Sequence, residues 1–336
     1  MKFLRSFGFA AVLFYLPVYV LGGSRTSPPA GAVIVPTSGE FQTISGAVNS
    51  LPNDGSSRGI FVYPGNYTEQ VSITRPGPLT IFGYTYDTST YKSNTVMIQY
   101  GLSAKQTGSD DASGTLRVHK DNFRMYNVNV KNTFGIGSQA IAISQYGNRV
   151  GFYGCSFIGY QDTVLAEQGA QVYLKGYIEG AVDFIFGQTG QAYFGGNVIA
   201  VSSKGCVTAS GRASNDNTSC RYVFNQNTIT LTPGAASGTA GHVFLGRPWQ
   251  DFAKVIFLNT VVSAPLNTSL WSVWNAGQPN TDNVFFADFN TTGSGVKGAH
   301  RAKFSTLLTA SQAAQYSISS AVGYDYSSWV DTSYVV

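Results

Sequence analysis

Two aspartates and two glutamines are the residues best placed to do chemistry. Asp183 stands in the run "VDFIF", where its neighbours call for a buried strand. A carboxylate among large apolar side chains must be paired, hydrogen-bonded or protonated, because uncompensated burial costs several kcal/mol. Gln139, Gln161 and Asp183 recur at intervals of 22 residues, and Asp162 lies 21 before Asp183. If one turn of a stacked chain takes that many residues, two amides and two carboxylates fall on one small patch, with successive turns about 4.8 Å apart. Acyl transfer needs that set: a nucleophile or base, a proton donor and donors for an oxyanion. The same spacing also suits a structural ladder of polar side chains bonded along the stacking axis. Spacing alone leaves both open.

Stacked strands are what the rest of the chain predicts. The stretches "FRMYNVNV", "VGFYGCSF", "VYLKGYIE", "YVFNQNTI", "VIFLNTVV" and "VFFADFNT" share an apolar alternation interrupted at a fifth position, which falls at 127, 154, 176, 226, 259 and 288. A loose period without helical spacing is the signature of a β-solenoid with variable loops. The 336 residues carry 43% hydrophobic but only 11% charged residues, with 38 Gly, 20 Tyr and 22 Phe, a mix suited to strands and tight turns. Open solenoid ends need covering. Ile44, Ala47, Val48 and Leu51 mark an amphipathic helix for one end, and Thr309 with Gln312 has capping-box spacing for a helix at the other.

Residues 1–22 read as a secretory signal peptide, with Lys2 and Arg5 before an apolar core that Pro17 interrupts. Residues 23–40 read as a lead-in and 41–336 as a single β-helix catalytic domain. Removing Lys2 and Arg5 takes the formal charge from +4 to +2, which argues against a nucleic-acid partner, and no other segment is long and apolar enough for a membrane span. Sequons begin at Asn66, Asn217, Asn267 and Asn290. Of three cysteines, Cys206 and Cys220 bracket a Gly/Ser/Asn-rich loop and are the expected disulfide pair, leaving Cys155 as a buried thiol. Clustered metal ligands are lacking, which disfavours metal chemistry.

The blocks "GNYTE" (65–69), "SQAIAIS" (138–144), "GYQDTVL" (159–165), "YIEGAVDFIFG" (177–187), "VTASGR" (207–212) and "LGRPW" (245–249) resemble, in order, the signatures of pectin methylesterases, closest to the secreted fungal members. The resemblance runs from about Phe41 to the C-terminus. It implies an all-β, right-handed parallel β-helix, an exposed groove, a monomer acting on methyl-esterified homogalacturonan, and no cofactor. It also implies Asp183 as nucleophile, Asp162 as general acid and base, Gln161 and Gln139 as oxyanion donors, and Arg247 holding Asp183 ionised by lowering its pKa. Trp249, Phe186, Trp271 and Trp274 are candidates for stacking on sugars. Leu165 departs from members that carry a substrate-contacting tyrosine at that position. Glu69 reads as a strand-end structural residue.

Three rivals are weaker. The strings "NTD" (280–282) and "DD" (110–111) occur in the reverse of polygalacturonase order and read as loop residues. "GSSRG" (55–59) spells a nucleophile elbow, but the helix precedes it and the strand follows, opposite to what the elbow requires. A non-catalytic carbohydrate-binding solenoid would keep the tryptophans but need not keep both aspartates, both glutamines and Arg247 together.

Overall fold

A computed structural model describes residues 22–36, 41–213 and 221–336. The expected signal peptide (save Gly22), the sequon at Asn217 and Cys220 lie outside the described residues. Three sheets of 11, 7 and 8 strands run the length of the molecule, and every pair of neighbouring strands in them is parallel. Between the two ends consecutive strands fall on different sheets, and each sheet grows by one strand per coil. The molecule is a parallel β-helix.

The interior is filled by one apolar cluster in which like side chains stack between coils. Tyr173, Phe194, Phe224 and Phe257 are register partners in successive coils, with ring centroids 4.7, 4.4 and 4.3 Å apart. That separation is close to the spacing of adjacent strands, so flat rings suit the lattice.

Coils turn one corner through a column of residues in left-handed backbone: Asn127, Gly154, Lys175, Gly196, Gln226, Asn259 and Asn290. Asn and Gly tolerate this region best. The interruptions read from sequence match this column at 127, 154, 226 and 259. The turn residue is Lys175 rather than 176 and Asn290 rather than 288, because Asp288 lies inside Phe285–Phe289, where it is fully buried and paired with Arg301 at 2.7 and 2.8 Å.

Helix α1 (Ile44–Ser50) covers the first coils, burying Ile44, Ala47 and Val48 in the interior cluster. Glu69 anchors it, accepting from the N–H groups of Ile44 and Ser45 at 2.8 and 2.9 Å, as its structural reading anticipated. The lead-in is more ordered than a linker: Val33–Val35 pairs with Arg58–Val62 as the edge strand of the 11-stranded sheet.

The C-terminal helices differ from the end cap expected. After Ser305–Leu307 the chain turns back along the outer face of the 11-stranded sheet, where Ile318, Ala321, Trp329 and Tyr334 pack on Tyr126, Tyr153, Val172 and Tyr193. This explains strands such as Val150–Tyr153, buried at every position: the sheet is covered on both faces.

Candidate active site

Among the described residues no such returning segment covers the 7-stranded sheet, and a cleft of about 240 Å³ lies on it. Gln139, Gln161, Asp162, Asp183, Phe186, Arg247, Trp249 and Trp274 line the cleft together with Asp110 and Ala209. Coil stacking brings the first four together. Gln161 bridges Val182 in the next coil, and Asp162 N–H donates to the Val182 carbonyl at 3.0 Å. Asp183 therefore lies in register with Asp162, at 21 residues, rather than with Gln161 at 22. Gln139 and Gln161 are joined one coil earlier, where Ala140 N–H donates to the Gln161 carbonyl at 3.1 Å. The Ser138 hydroxyl donates to Gln139 Oε1 at 3.2 Å, which leaves the amide NH2 as the end available to the cleft.

The two carboxylates differ in environment. Both side chains are nearly buried, at 6% and 7% residue exposure for Asp183 and Asp162. Arg247 grips Asp183 with two nitrogens, Nε to Oδ1 at 2.9 Å and Nη2 to Oδ2 at 2.6 Å. Burial raises Asp183's pKa, and the guanidinium holds that rise back. The net lowering expected from the arginine is not reached, because desolvation outweighs it. Among the described residues no cation grips Asp162 in this way. Burial, then the nearby charge of Asp183, pushes its pKa well above the ordinary carboxylate value. The shared site thus favours a proton on Asp162 first.

Arg247 is itself held: Nη1 donates to the Trp274 carbonyl at 3.3 Å, and the guanidinium carbon lies 4.3 Å from the centre of the Trp274 ring. Phe186, Leu165, Ile141 and Ala209 make an apolar floor against which Trp249 and Trp274 pack, with the Phe186 and Trp249 rings 6.2 Å apart. Trp249 lies on Gly211, where even a Cβ would come within 2.5 Å of its ring.

Trp271 does not join them. It is 1% exposed, bridges Gly246 at the sheet edge and stacks on Phe286 at 4.4 Å inside the solenoid. Its expected role on sugar is corrected to core packing. The expected Cys206–Cys220 bridge is also corrected on the side that can be described: Cys206 is a free, buried thiol. Cys155 is a free thiol too, 2% exposed, its pKa pushed up to about 12 by burial. Asn66 is exposed, whereas Asn267 uses its amide on Gly241 and Ser269. Asn290 is exposed and donates to Asn259 at 3.0 Å in the corner column.

Two residues read as loop matter here. Asp110, in the short helix Asp110–Ser113, lines the cleft as a third carboxylate. Its neighbour Asp111 anchors that helix to Arg117, Ser144 and His119 at 2.5, 2.7 and 2.8 Å. Burial opposes Asp111's charge, yet those bonds bring its pKa down to about 2. Asn280 is buried in left-handed backbone and donates to the Trp249 and Pro248 carbonyls at 2.9 and 3.3 Å, fixing the "GRPW" strand end. The Ser109 cap was a readable signal for the helix that carries Asp110 but not for its facing; nothing local marked Asn280.

Among the described residues no group of three or more His, Cys, Asp and Glu is arranged to hold a metal ion, and no helix is long and apolar enough to cross a membrane.

Comparison with known proteins bears on the family and the fold. The family model described as Pectinesterase matches residues 32–325. A pectinesterase of Aspergillus niger is 41% identical over 335 residues, covering 97% of this chain and 98% of the relative. One from Aspergillus aculeatus is 40% identical, covering 94% and 96%. The crystal structure of a pectin methylesterase from Aspergillus niger superposes with a TM-score of 0.85 at 38% identity, covering 93% of this chain and all of that one. On the fold, the site and these matches together, the chain belongs to the pectinesterase family and is a carboxylic ester hydrolase.

Proposed function

We propose that the protein hydrolyses the methyl esters of polygalacturonate in pectin, releasing methanol, with Asp183 as nucleophile and Asp162 as general acid and base. The observation that carries this reading is the stacked aspartate pair with a single guanidinium clamped on one member. Asp183, kept anionic and aimed by Arg247, attacks the ester carbonyl carbon. The oxyanion that forms accepts hydrogen bonds from the amides of Gln161 and Gln139, donors of a kind that each lower a barrier by about 3 kcal/mol. Asp162 gives its proton to the methoxy oxygen, the C–O bond breaks and methanol leaves, with the acyl group on Asp183. Asp162, now a carboxylate, takes a proton from water as the water attacks that acyl carbon. Asp183 departs as carboxylate, and a galacturonic acid unit is released with Asp162 reprotonated. Trp249, Trp274 and Phe186 supply an apolar wall for the sugar and ester methyl.

The N-terminal pattern supports secretion, and the Aspergillus niger structure is of a form with an N-acetylglucosamine stub, in keeping with sequons on this chain. Pectin outside the cell is the substrate this reading assigns, with the protein acting as a monomer and without a cofactor.

Asp183→Asn tests the mechanism. Methanol release from methylated pectin is expected to fall at least about a hundredfold with far-UV circular dichroism unchanged. A variant that turns over like the parent would remove Asp183 from the chemistry.

A further inference from the structure

Two adjacent aspartates on the cleft wall do opposite things. Asp111 is fully engaged by Arg117, Ser144 and His119, and against burial those bonds bring its pKa down to about 2. Asp110 is half-buried, lines the cleft with Asp162 and Asp183, and has no ion-pair partner among the described residues. The cations that could neutralise it are spent on its neighbour. Taking a carboxylate partly out of water without a counter-charge costs stability, and such groups gather at functional sites.

Asp110 is also fixed in place. The buried Ser113 hydroxyl donates to the Asp110 carbonyl at 2.7 Å and accepts the Ile141 N–H at 3.2 Å. Asn132 Nδ2 donates to the Ser113 and Ile141 carbonyls, each at 3.1 Å, and Gln70 Nε2 donates to the Ala112 carbonyl at 2.8 Å. The wall that carries Asp110 is thus pinned to the coil that carries Gln139. A space of 240 Å³ is about 8 Å across, comparable with the Debye length at physiological salt, so a charge on one wall is felt at the other.

The charges around Asp110 are mostly of its own sign. Asp162 and Asp183 share the cleft with it, and Arg247 is committed to Asp183. Burial, with Asp110's charge adding to it, puts Glu167 at a pKa of about 7 and Tyr146 at about 12. Lys105, on the preceding helix Ala104–Thr107, is exposed and forms no ion pair among the described residues. Asp162 is raised by burial first, then by Asp183 and then by Asp110. Half-buried Asp110 keeps more contact with water than Asp162 does, so it ionises first and meets the second acid as an anion.

We infer that Asp110 is a positioning residue for the reaction: fixed on the cleft wall, its negative charge holds the proton on Asp162 until the methoxy oxygen takes it. The inference rests on the reading of Asp162 as general acid, and it adds no bond made or broken to the proposed hydrolysis.

The test follows that proton directly. Infrared titration of the full chain resolves protonated carboxyl from carboxylate, and the band lost in Asp162→Asn identifies Asp162. In Asp110→Asn the midpoint of that band is expected to fall by about half to one pH unit, and the basic limb of the kcat/KM profile should fall with it. Asp110→Glu, which restores the charge, should return both towards the parent. Asp282→Asn, which removes an exposed carboxylate elsewhere, should leave both unmoved. Glu167→Gln in parent and variant removes the other carboxyl that Asp110 perturbs, and the shift should survive it. Equal midpoints in the parent and D110N, or an equal fall in D282N, would overturn the inference whatever happens to the rate. A midpoint that falls while the basic limb stays would uphold the field of Asp110 on Asp162 and would instead remove Asp162 as the proton donor of the proposed function.

Discussion

Asp162 and Asp183 lie one above the other in successive coils, and both enter left-handed backbone, at φ 64° and 51°. That conformation costs a non-glycine residue about 1 kcal/mol or more, and aspartate is among the few that tolerate it. At this point the strand pattern breaks, so the carboxylates leave the apolar alternation on either side and line the cleft. The question raised by an acid inside "VDFIF" is answered by geometry: Phe184 and Ile185 turn inward and fully buried, while Asp183 and Phe186 line the outer face.

Asp162→Asn removes the proposed proton donor, and methanol release is expected to fall at least about a hundredfold. Stability should move the other way. Asp162's folded pKa is raised, so its contribution is fully present below the unfolded carboxylate value near 4 and is lost as pH rises through the folded one. Asparagine suffers no such loss. Scanning calorimetry should show the variant's Tm advantage growing as pH rises above about 4; an advantage that shrank would contradict the assignment.

Arg247→Lys keeps the charge but gives up the two-nitrogen grip. With less to offset desolvation, Asp183 should hold its proton to higher pH. The acid limb of the kcat/KM profile is expected to shift upward by about one pH unit, together with a lower plateau. An unmoved limb would show that Arg247 does not set the charge of the nucleophile.

Gly211→Val should displace the Trp249 ring that lies against it. We expect KM for methylated pectin to rise several-fold, matching Trp249→Ala, with little further change when both are combined. Additive losses in the double variant would separate the two residues.

Arg301→Ala leaves Asp288, at 0% exposure, without its only ion-pair partner among the described residues. Breaking a buried pair on one side costs about 3–5 kcal/mol. Urea denaturation should show that loss, while the folded fraction retains its esterase activity because the pair is remote from the cleft.

Much of this was legible in the chain because a solenoid converts sequence interval into distance. Gln139, Gln161, Asp162 and Asp183 could be grouped by counting alone, and only the one-residue question of which stacks on which needed coordinates. Arg247 follows Thr208 and Ala209 across a far longer loop, so it was reached through its motif rather than by counting. Trp271 was misread for a physical reason: an indole suits a sugar platform and a stacked core equally well, and sheet register decides between them. Asp110 was unreadable as a cleft residue because a four-residue helix does not declare its facing. The fold-back of the C-terminal segment was hidden as well. Its capping-box spacing at Thr309 and Gln312 predicts a helix, but does not say what that helix covers.

That returning segment changes how the molecule can come apart. Trp329 accepts from Arg124 at 3.1 Å, Asp331 binds Tyr126 and Tyr153 at 3.2 and 3.0 Å, and the Tyr334 hydroxyl reaches the Thr88 carbonyl at 2.6 Å. A linear array of repeats can fray from either tip, since each unit touches only its neighbours. Here the last residues are latched to some of the earliest coils, so peeling the terminal turns strips a seam running half the length of the rod. Melting is thereby coupled along that seam, and the cleft floor beside it shares the resilience of the coils it joins.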